Sequence, residues 1–401
     1  MQAKTLALMA LLAAPLTSNA ATPLSIRVVG NHLADGDGHV VQLHGANVSG
    51  LEFVAIQGWS AADPWGGQIP DLHAMKAWNL NAVRFPLNEA SWLGLTTYDW
   101  PAPGKAATRR KADPGGNYRQ TVINSVNLAV AAGMYVILDL HLNSPDALVP
   151  GVPGKVPTSP TVQNVMADAD HSEAFWSSVA ATFKSNPAVI FDLFNEPHMD
   201  KFSGLTFSFG SDAKWRALRD GGEATEFATN GATVQQNFRT AGMQSLLNAV
   251  RATGATNVVM IAGISWAQDT SEWVTYAPVD PRHQLAASWH AYPQGSSGPA
   301  ASIPGLGTDN YSWAQAILAA GYPVIIGETG DRSTAGTVGA PFMANLLPWI
   351  DRYHVSVLGW TWNVWGKTDD DLIKTSAGEP TDGYGVAYRH WTLSQASPGP
   401  H

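Results

Sequence analysis

Two stretches of this chain end an apolar run on a glutamate. Val189-Ile190-Phe191-Asp192-Leu193-Phe194 leads to Asn195-Glu196-Pro197-His198, and Pro323-Val324-Ile325-Ile326-Gly327 leads to Glu328-Thr329-Gly330. Short runs rich in β-branched and aromatic residues read as buried strands, and Pro197 cannot extend a ladder because it lacks an N–H. Both carboxylates therefore stand at strand ends. Two carboxylates that face each other suit cleavage of a glycosidic bond. One, with a raised pKa, protonates the departing oxygen; the other attacks the anomeric carbon or activates water. Arg84, in another apolar run, would keep Glu328 ionised. Read only as an internal salt bridge, the same pair would serve stability alone. The Tyr292 hydroxyl would also support Glu328. Asn195 suits a sugar 2-hydroxyl, and His141 and His290 suit neutral donor and acceptor roles.

Positioning these groups takes a scaffold whose strands all end on one side. Strand-like runs fall at residues 42–48, 82–87, 135–141, 189–195, 258–264, 285–290, 324–328 and 355–362. Helical patterns fall at 70–78, 118–132, 172–184, 233–253, 312–320 and 341–353. Gly133, Gly254 and Gly321 follow three of them as C-cap signals, and Asp71 and Ser172 stand where first turns begin. Alternating β and α with strands buried on both faces implies a parallel sheet, and eight such units predict an α/β fold, a closed (β/α)8 TIM barrel. An open doubly wound sheet would usually carry a glycine-rich phosphate loop, and the sequence has neither G-x-G-x-x-G nor a P-loop. Segments after the strands are long and those before them short, so the cleft belongs on the C-terminal face. Residues 25–42 read as a short N-terminal hairpin turned by Asp35-Gly36-Asp37-Gly38.

Composition narrows the partners. The chain has 401 residues, 45% hydrophobic and only 14% charged, with a net charge of −9. That balance argues against nucleic acid or an anionic membrane as a partner. The absence of cysteine excludes thiolate metal sites and cysteine nucleophiles. No His-x-His or His-Glu-x-x-His spacing is present, so no metal or cofactor is expected. Lys4, the apolar residues 5–16 and Ser18-Asn19-Ala20 have the order of a signal peptide cut after Ala20. Residues 21–401 are then expected to form one catalytic domain, secreted or periplasmic and monomeric. Among sixteen tryptophans, Trp59, Trp65, Trp92, Trp100, Trp215, Trp266, Trp273, Trp362 and Trp365 fall in or beside expected top-face loops. Flat aromatic faces there suit pyranose rings.

These residues resemble glycoside hydrolase family 5, the retaining (β/α)8 enzymes that include many bacterial cellulases. The resemblance rests on Ile190-Phe191-Asp192-Leu193-Phe194-Asn195-Glu196-Pro197-His198. Arg84, Asp139-Leu140-His141, His290-Ala291-Tyr292, Gly327-Glu328 and Trp360-Thr361-Trp362-Asn363 reinforce it in order, over about residues 25–391. It implies Glu196 as acid/base and Glu328 as nucleophile, with Arg84, His141, Asn195, His290 and Tyr292 in support. It also implies a stacking tryptophan at the cleaved sugar. Trp362, nearer the strand end, is favoured over Trp360. The implied substrate is a β-1,4-linked glucan. Mannan, xyloglucan, mixed-linkage glucan, β-1,3-glucan and exo-action on short glucosides share the same core. A metal-dependent barrel hydrolase using His141 and His290, and a non-catalytic carbohydrate-binding protein, are the alternatives from other classes.

Overall fold

Eight parallel strands close on one another in chain order: β1 (His44–Asn47), β2 (Ala82–Asn88), β3 (Tyr135–Leu142), β4 (Val189–Asp192), β5 (Val259–Ala262), β6 (Leu285–Ala291), β7 (Val324–Thr329) and β8 (Ser356–Gly359). Each pairs with the next, and β8 returns to β1. Every strand lies within a run expected from the sequence or a residue or two beyond it. The computed structural model describes residues 23–62, 70–98, 109–146, 163–198, 212–227, 235–293, 309–331, 341–366 and 370–395. The expected signal peptide, Trp65 and Trp100 lie outside the described residues.

Helices α1 (Leu72–Ala77), α2 (Tyr118–Ala131), α3 (Ser172–Phe183), α4 (Met243–Ala252), α5 (Trp273–Tyr276), α6 (Asp309–Ala319), α7 (Pro341–Tyr353) and α8 (Tyr384–Ser394) follow the eight strands in turn. Asp71 caps α1 by accepting from the Ala74 N–H at 3.1 Å. Gly133, Gly254 and Gly321 take positive φ just past α2, α4 and α6, where a side chain would be strained. The helix expected over 233–253 starts only at Met243. Residues Gln235–Ala241 instead pair antiparallel with Gly221–Phe227. Ala241 N also donates to the Ala167 carbonyl. Pairing on both sides overrides the helical pattern, a tertiary effect that local sequence cannot register.

The N-terminal hairpin is a three-stranded sheet: Arg27–Val29, His32–Ala34 and Val40–Val41. It closes the bottom of the barrel. Ile26 and Leu33 pack on Leu43, Ala82, Ile137, Ile190, Met260, Ala286, Ile325 and Leu358. Strand side chains alternate between faces, so this set marks the inward positions at the lower level. Inward positions further up β1, β2, β3, β4 and β6 include Asn47, Arg84, Asp139, Asp192, Ser288 and His290, all buried and all polar or charged.

Candidate active site

Arg84 sits at the centre of the polar level and is fully buried. Its Nη2 lies 3.1 Å from Asp139 Oδ2 and 3.0 Å from Asp192 Oδ2. The same nitrogen donates to Asn195 Oδ1 at 2.7 Å. Nη1 donates to Glu328 Oε1 and to Asn47 Oδ1, both at 2.9 Å. Burial alone would weaken the guanidinium's hold on its proton. The charges of Asp139, Asp192 and Glu328 outweigh that and keep it firmly charged. One fork thus ties β2, β3, β4 and β7 together, in the planar geometry that suits carboxylates.

Glu328 reaches this centre through a bulge. The register of β6 on β7 runs Trp289↔Ile326 and then His290↔Glu328, so Gly327 is the extra residue. Ile325 points into the barrel. Strict alternation would give Gly327 the next inward position and send Glu328 outward. The extra residue reverses the parity and turns the carboxylate inward. A Cβ on Gly327 would come 3.1 Å from both His290 Nε2 and Ser288 Oγ, so the bulge needs a bare backbone. Tyr292 OH donates to Glu328 Oε2 at 3.0 Å.

Glu196 lies beyond the end of β4, its side chain 17% exposed. His290 Nδ1 lies 2.8 Å from Glu196 Oε1 and 3.6 Å from Glu328 Oε2. Oxygens of the two glutamates and a nitrogen of His290 all lie within 4.8 Å of one another. Burial raises the Glu196 carboxyl above its ordinary range, against the pull of His141, Gln163, His198 and Arg84. Burial also pushes the His290 imidazole down to about 4, so at neutral pH it is uncharged. Nδ1 then carries its one proton toward Glu196, since His290 Nε2 has no hydrogen-bond partner among the described residues.

His141 departs from the neutral role expected of it. Burial pulls it down, but the Asp139 charge and the 2.7 Å bond from Nδ1 to Asp139 Oδ2 more than offset this. It ends pushed up to about 9 and is a cation. Its Nε2 faces Asn195 Nδ2 at 3.3 Å. With the ring charged both of its nitrogens are donors, so the bond that fixes Asn195 is the one its Oδ1 accepts from Arg84 at 2.7 Å. Asp192 feels burial more than it feels Arg84 and is pushed up to about 7.

The tryptophan set needs correction. Trp362 is buried against Trp78, with ring centroids 4.8 Å apart, in the layer outside the barrel. The ladder ends at Gly359, and alternation no longer governs residue 362. Trp360 is the one beside the site, partly exposed and stacked 5.7 Å from His141 with 13° between the rings. Trp92, Trp215 and Trp273 are core residues, whereas Trp59 and Trp365 are exposed. Trp266 stacks 5.1 Å over His198 from a turn in which Ser265, Trp266 and Ala267 all have positive φ.

Sequence reading missed Asp139, Asp192 and Asn47 as members of the site. The signal was present: a charged residue two positions above a buried aliphatic, within an otherwise apolar run, points at a buried ion pair. The supports expected of Arg84, Asn195, His290 and Tyr292 all fall around the two glutamates.

A family model described as "Cellulase (glycosyl hydrolase family 5)" matches residues 34–366. The chain belongs to glycosyl hydrolase family 5. The fold agrees. A β-glucanase from Saccharophagus degradans, solved with cellotetraose, superposes with a TM-score of 0.61 at 20% identity, covering 93% of this chain and 94% of that one. Among curated relatives, Endoglucanase C of Evansella cellulosilytica is 23% identical over 349 residues, 84% of this chain and 35% of that protein. The cellulase CelDZ1 of a Thermoanaerobacterium species is 21% identical, covering 91% of this chain and 75% of that one. This family 5 chain spans about a third of the length of Endoglucanase C, so it corresponds to one part of a larger protein there. Its polar barrel mouth is where that family's chemistry has to be sought.

Proposed function

We propose that this chain is a retaining β-glucanase acting on a β-1,4-linked glucan, with Glu196 as acid/base and Glu328 as nucleophile. The observation that carries the reading is the spacing of the two carboxylates around His290, with oxygens within 4.8 Å. That suits direct attack by one carboxylate. An inverting pair stands roughly 6.5–9.5 Å apart to admit a water. The partners of each glutamate sort the roles. Glu328 has Arg84 on one oxygen and Tyr292 on the other, donors that aim its carboxylate for attack on carbon. Burial raises Glu196, the direction that suits a proton donor.

In the first step Glu196 protonates the departing glycosidic oxygen while Glu328 bonds to the anomeric carbon. In the second, the Glu196 carboxylate takes a proton from water as that water displaces Glu328. Asn195, fixed by Arg84, is placed for the 2-hydroxyl, a contact that strengthens as charge develops on the sugar. Trp360 is the stacking platform. Glu196, His290 and Glu328 also lie close enough to ligate a cation. The Arg84 and Tyr292 bonds to Glu328 fit the nucleophile role better, because they occupy both of its oxygens. The glucan preference is supported by relatives named endoglucanase and cellulase. The same proposal has residues 1–20 removed on export.

The test is hydrolysis of a panel: carboxymethylcellulose, mixed-linkage glucan, xyloglucan, mannan and xylan. Glucans should be cleaved, NMR should show the β-anomer released first, and Glu328→Gln should lower kcat on the order of 10⁴-fold. Initial release of the α-anomer would sink the retaining mechanism, and inertness toward every glucan would sink the substrate class.

A further inference from the structure

Glu196 Oε1 is engaged by His290. Its other oxygen, Oε2, accepts from Gln163 Nε2 at 3.3 Å. We propose that Gln163 is a positioning residue for Glu196, holding Oε2 where that oxygen passes its proton to the departing sugar. The inference rests on the acid/base reading of Glu196 given above.

The two oxygens of Glu196 are inequivalent. A neutral His290 with its proton on Nδ1 donates to Oε1, so the proton that Glu196 transfers must sit on Oε2. During the reaction that proton moves to the glycosidic oxygen as the carbon–oxygen bond breaks and Glu328 bonds to the anomeric carbon. Oε2 is therefore the working atom, and Gln163 is the side chain that donates to it among the described residues. A primary amide suits both states of the carboxyl. Its N–H donates to the carboxylate, and after rotation its carbonyl accepts from the carboxylic acid. Methionine of similar size can do neither.

The backbone beneath Gln163 is firmly held. Asn164 Nδ2 donates to Asn143 Oδ1 at 2.9 Å, and Asn143 Nδ2 donates to the Met166 carbonyl at 3.0 Å. His198 N donates to the Val165 carbonyl, which links the segment to the chain two residues past Glu196. Residues 164–168 are buried, while Gln163 itself is partly exposed at the mouth. A short rigid base thus presents one amide to one oxygen, the arrangement positional control requires.

The experiment compares Gln163→Met and Gln163→Glu with the parent on carboxymethylcellulose and on dinitrophenyl β-cellobioside, whose leaving group needs no proton. Gln163→Met should lower kcat/KM about tenfold on the glucan yet leave it within about twofold on the aryl glycoside. It should also move the alkaline limb of the glucan profile upward, because a donor to the carboxylate has gone. Gln163→Glu should move that limb further, since it adds a like charge. Melting temperatures should match the parent's. Equal losses on the two substrates, or an unmoved alkaline limb, would overturn the proposal while leaving the acid/base assignment intact. A parent inert on both substrates would overturn that assignment and the role of Gln163 with it.

Discussion

Two residues along β2, β3, β4 and β6, the inside of the barrel changes character. Ala82 is succeeded by Arg84, Ile137 by Asp139, Ile190 by Asp192 and Ala286 by Ser288, with every one of these side chains buried. The lower level is closed by Ile26 and Leu33, and its cluster is apolar apart from the Tyr135 hydroxyl. The upper level holds Arg84, Asp139, Asp192 and Glu328 within one ion-paired set, with His290 Nδ1 3.6 Å from Glu328 Oε2. The lower level stabilises in proportion to the apolar area it removes from water, and each member contributes on its own. The upper level costs desolvation and holds only as a complete set, because each charge is tolerable only beside its partners. The comparison teaches where the proposed catalytic groups stand: on the level that costs stability, directly above the level that supplies it.

The comparison can be broken most sharply at Arg84. Arg84→Met should destabilise the protein by about 3–5 kcal/mol, since Asp139, Asp192 and Glu328 lose their shared cation. Adding Asp192→Asn should recover part of that loss. Urea unfolding measures both, and additive effects would show that the upper level is not a coupled set. At the lower level, Ile190→Ala should cost about 2–5 kcal/mol through the cavity it opens. Its kcat/KM on glucan should stay within about twofold of the parent's. A large catalytic loss there would erase the distinction between the levels.

A smaller effect sharpens the upper boundary. Trp360→Ala should weaken binding of a cello-oligosaccharide about tenfold in calorimetry with little change in melting temperature. Trp362→Ala should do the reverse, losing stability and keeping affinity, because Trp362 packs on Trp78. Equal behaviour of the two would mean that neither ring marks the edge of the cleft.

Much of this was legible in the chain. The eight strands announce themselves because each is an apolar run between polar, glycine or proline punctuation, and the barrel follows from their number and alternation with helices. Arg84, Asn195, His290 and Tyr292 could be placed near the glutamates because strand tips converge in a closed barrel. What was not legible depends on parity. Counting by twos from Ile325 sends Glu328 to the outside, and only the bulge at Gly327 brings it in; the lone glycine in a strand was the available sign. Counting by twos from Leu358 sends Trp360 and Trp362 to the same side, but the ladder stops at Gly359 and the second ring leaves for the outer core. The charge state of His141 was equally hidden, since it is set by Asp139, its neighbour on the same inward face.

Below the segment that carries Gln163, two acids meet away from the sugar. Glu89 opens a short helix, Glu89–Leu93, after β2 and accepts from Ser144 N at 3.0 Å and from Ser172 Oγ. Asp168 accepts from Asn143 Nδ2 and from the Asp170 and His171 N–H groups. Both carboxyl groups are fully buried, and burial raises each above its ordinary range, with Asp168 adding to the rise at Glu89. A raised carboxyl contributes stability that is complete below the ordinary carboxylate range and is lost as pH climbs through the raised value. The shared proton is thus a rivet, and alkali draws it out. Glu89→Gln puts a permanent amide where the protonated acid sits. Its melting temperature should match the parent's near about pH 5 and fall less by about pH 9. The alkaline limit of stability is then expected to lie in the framework, at a joint away from Glu196 and Glu328.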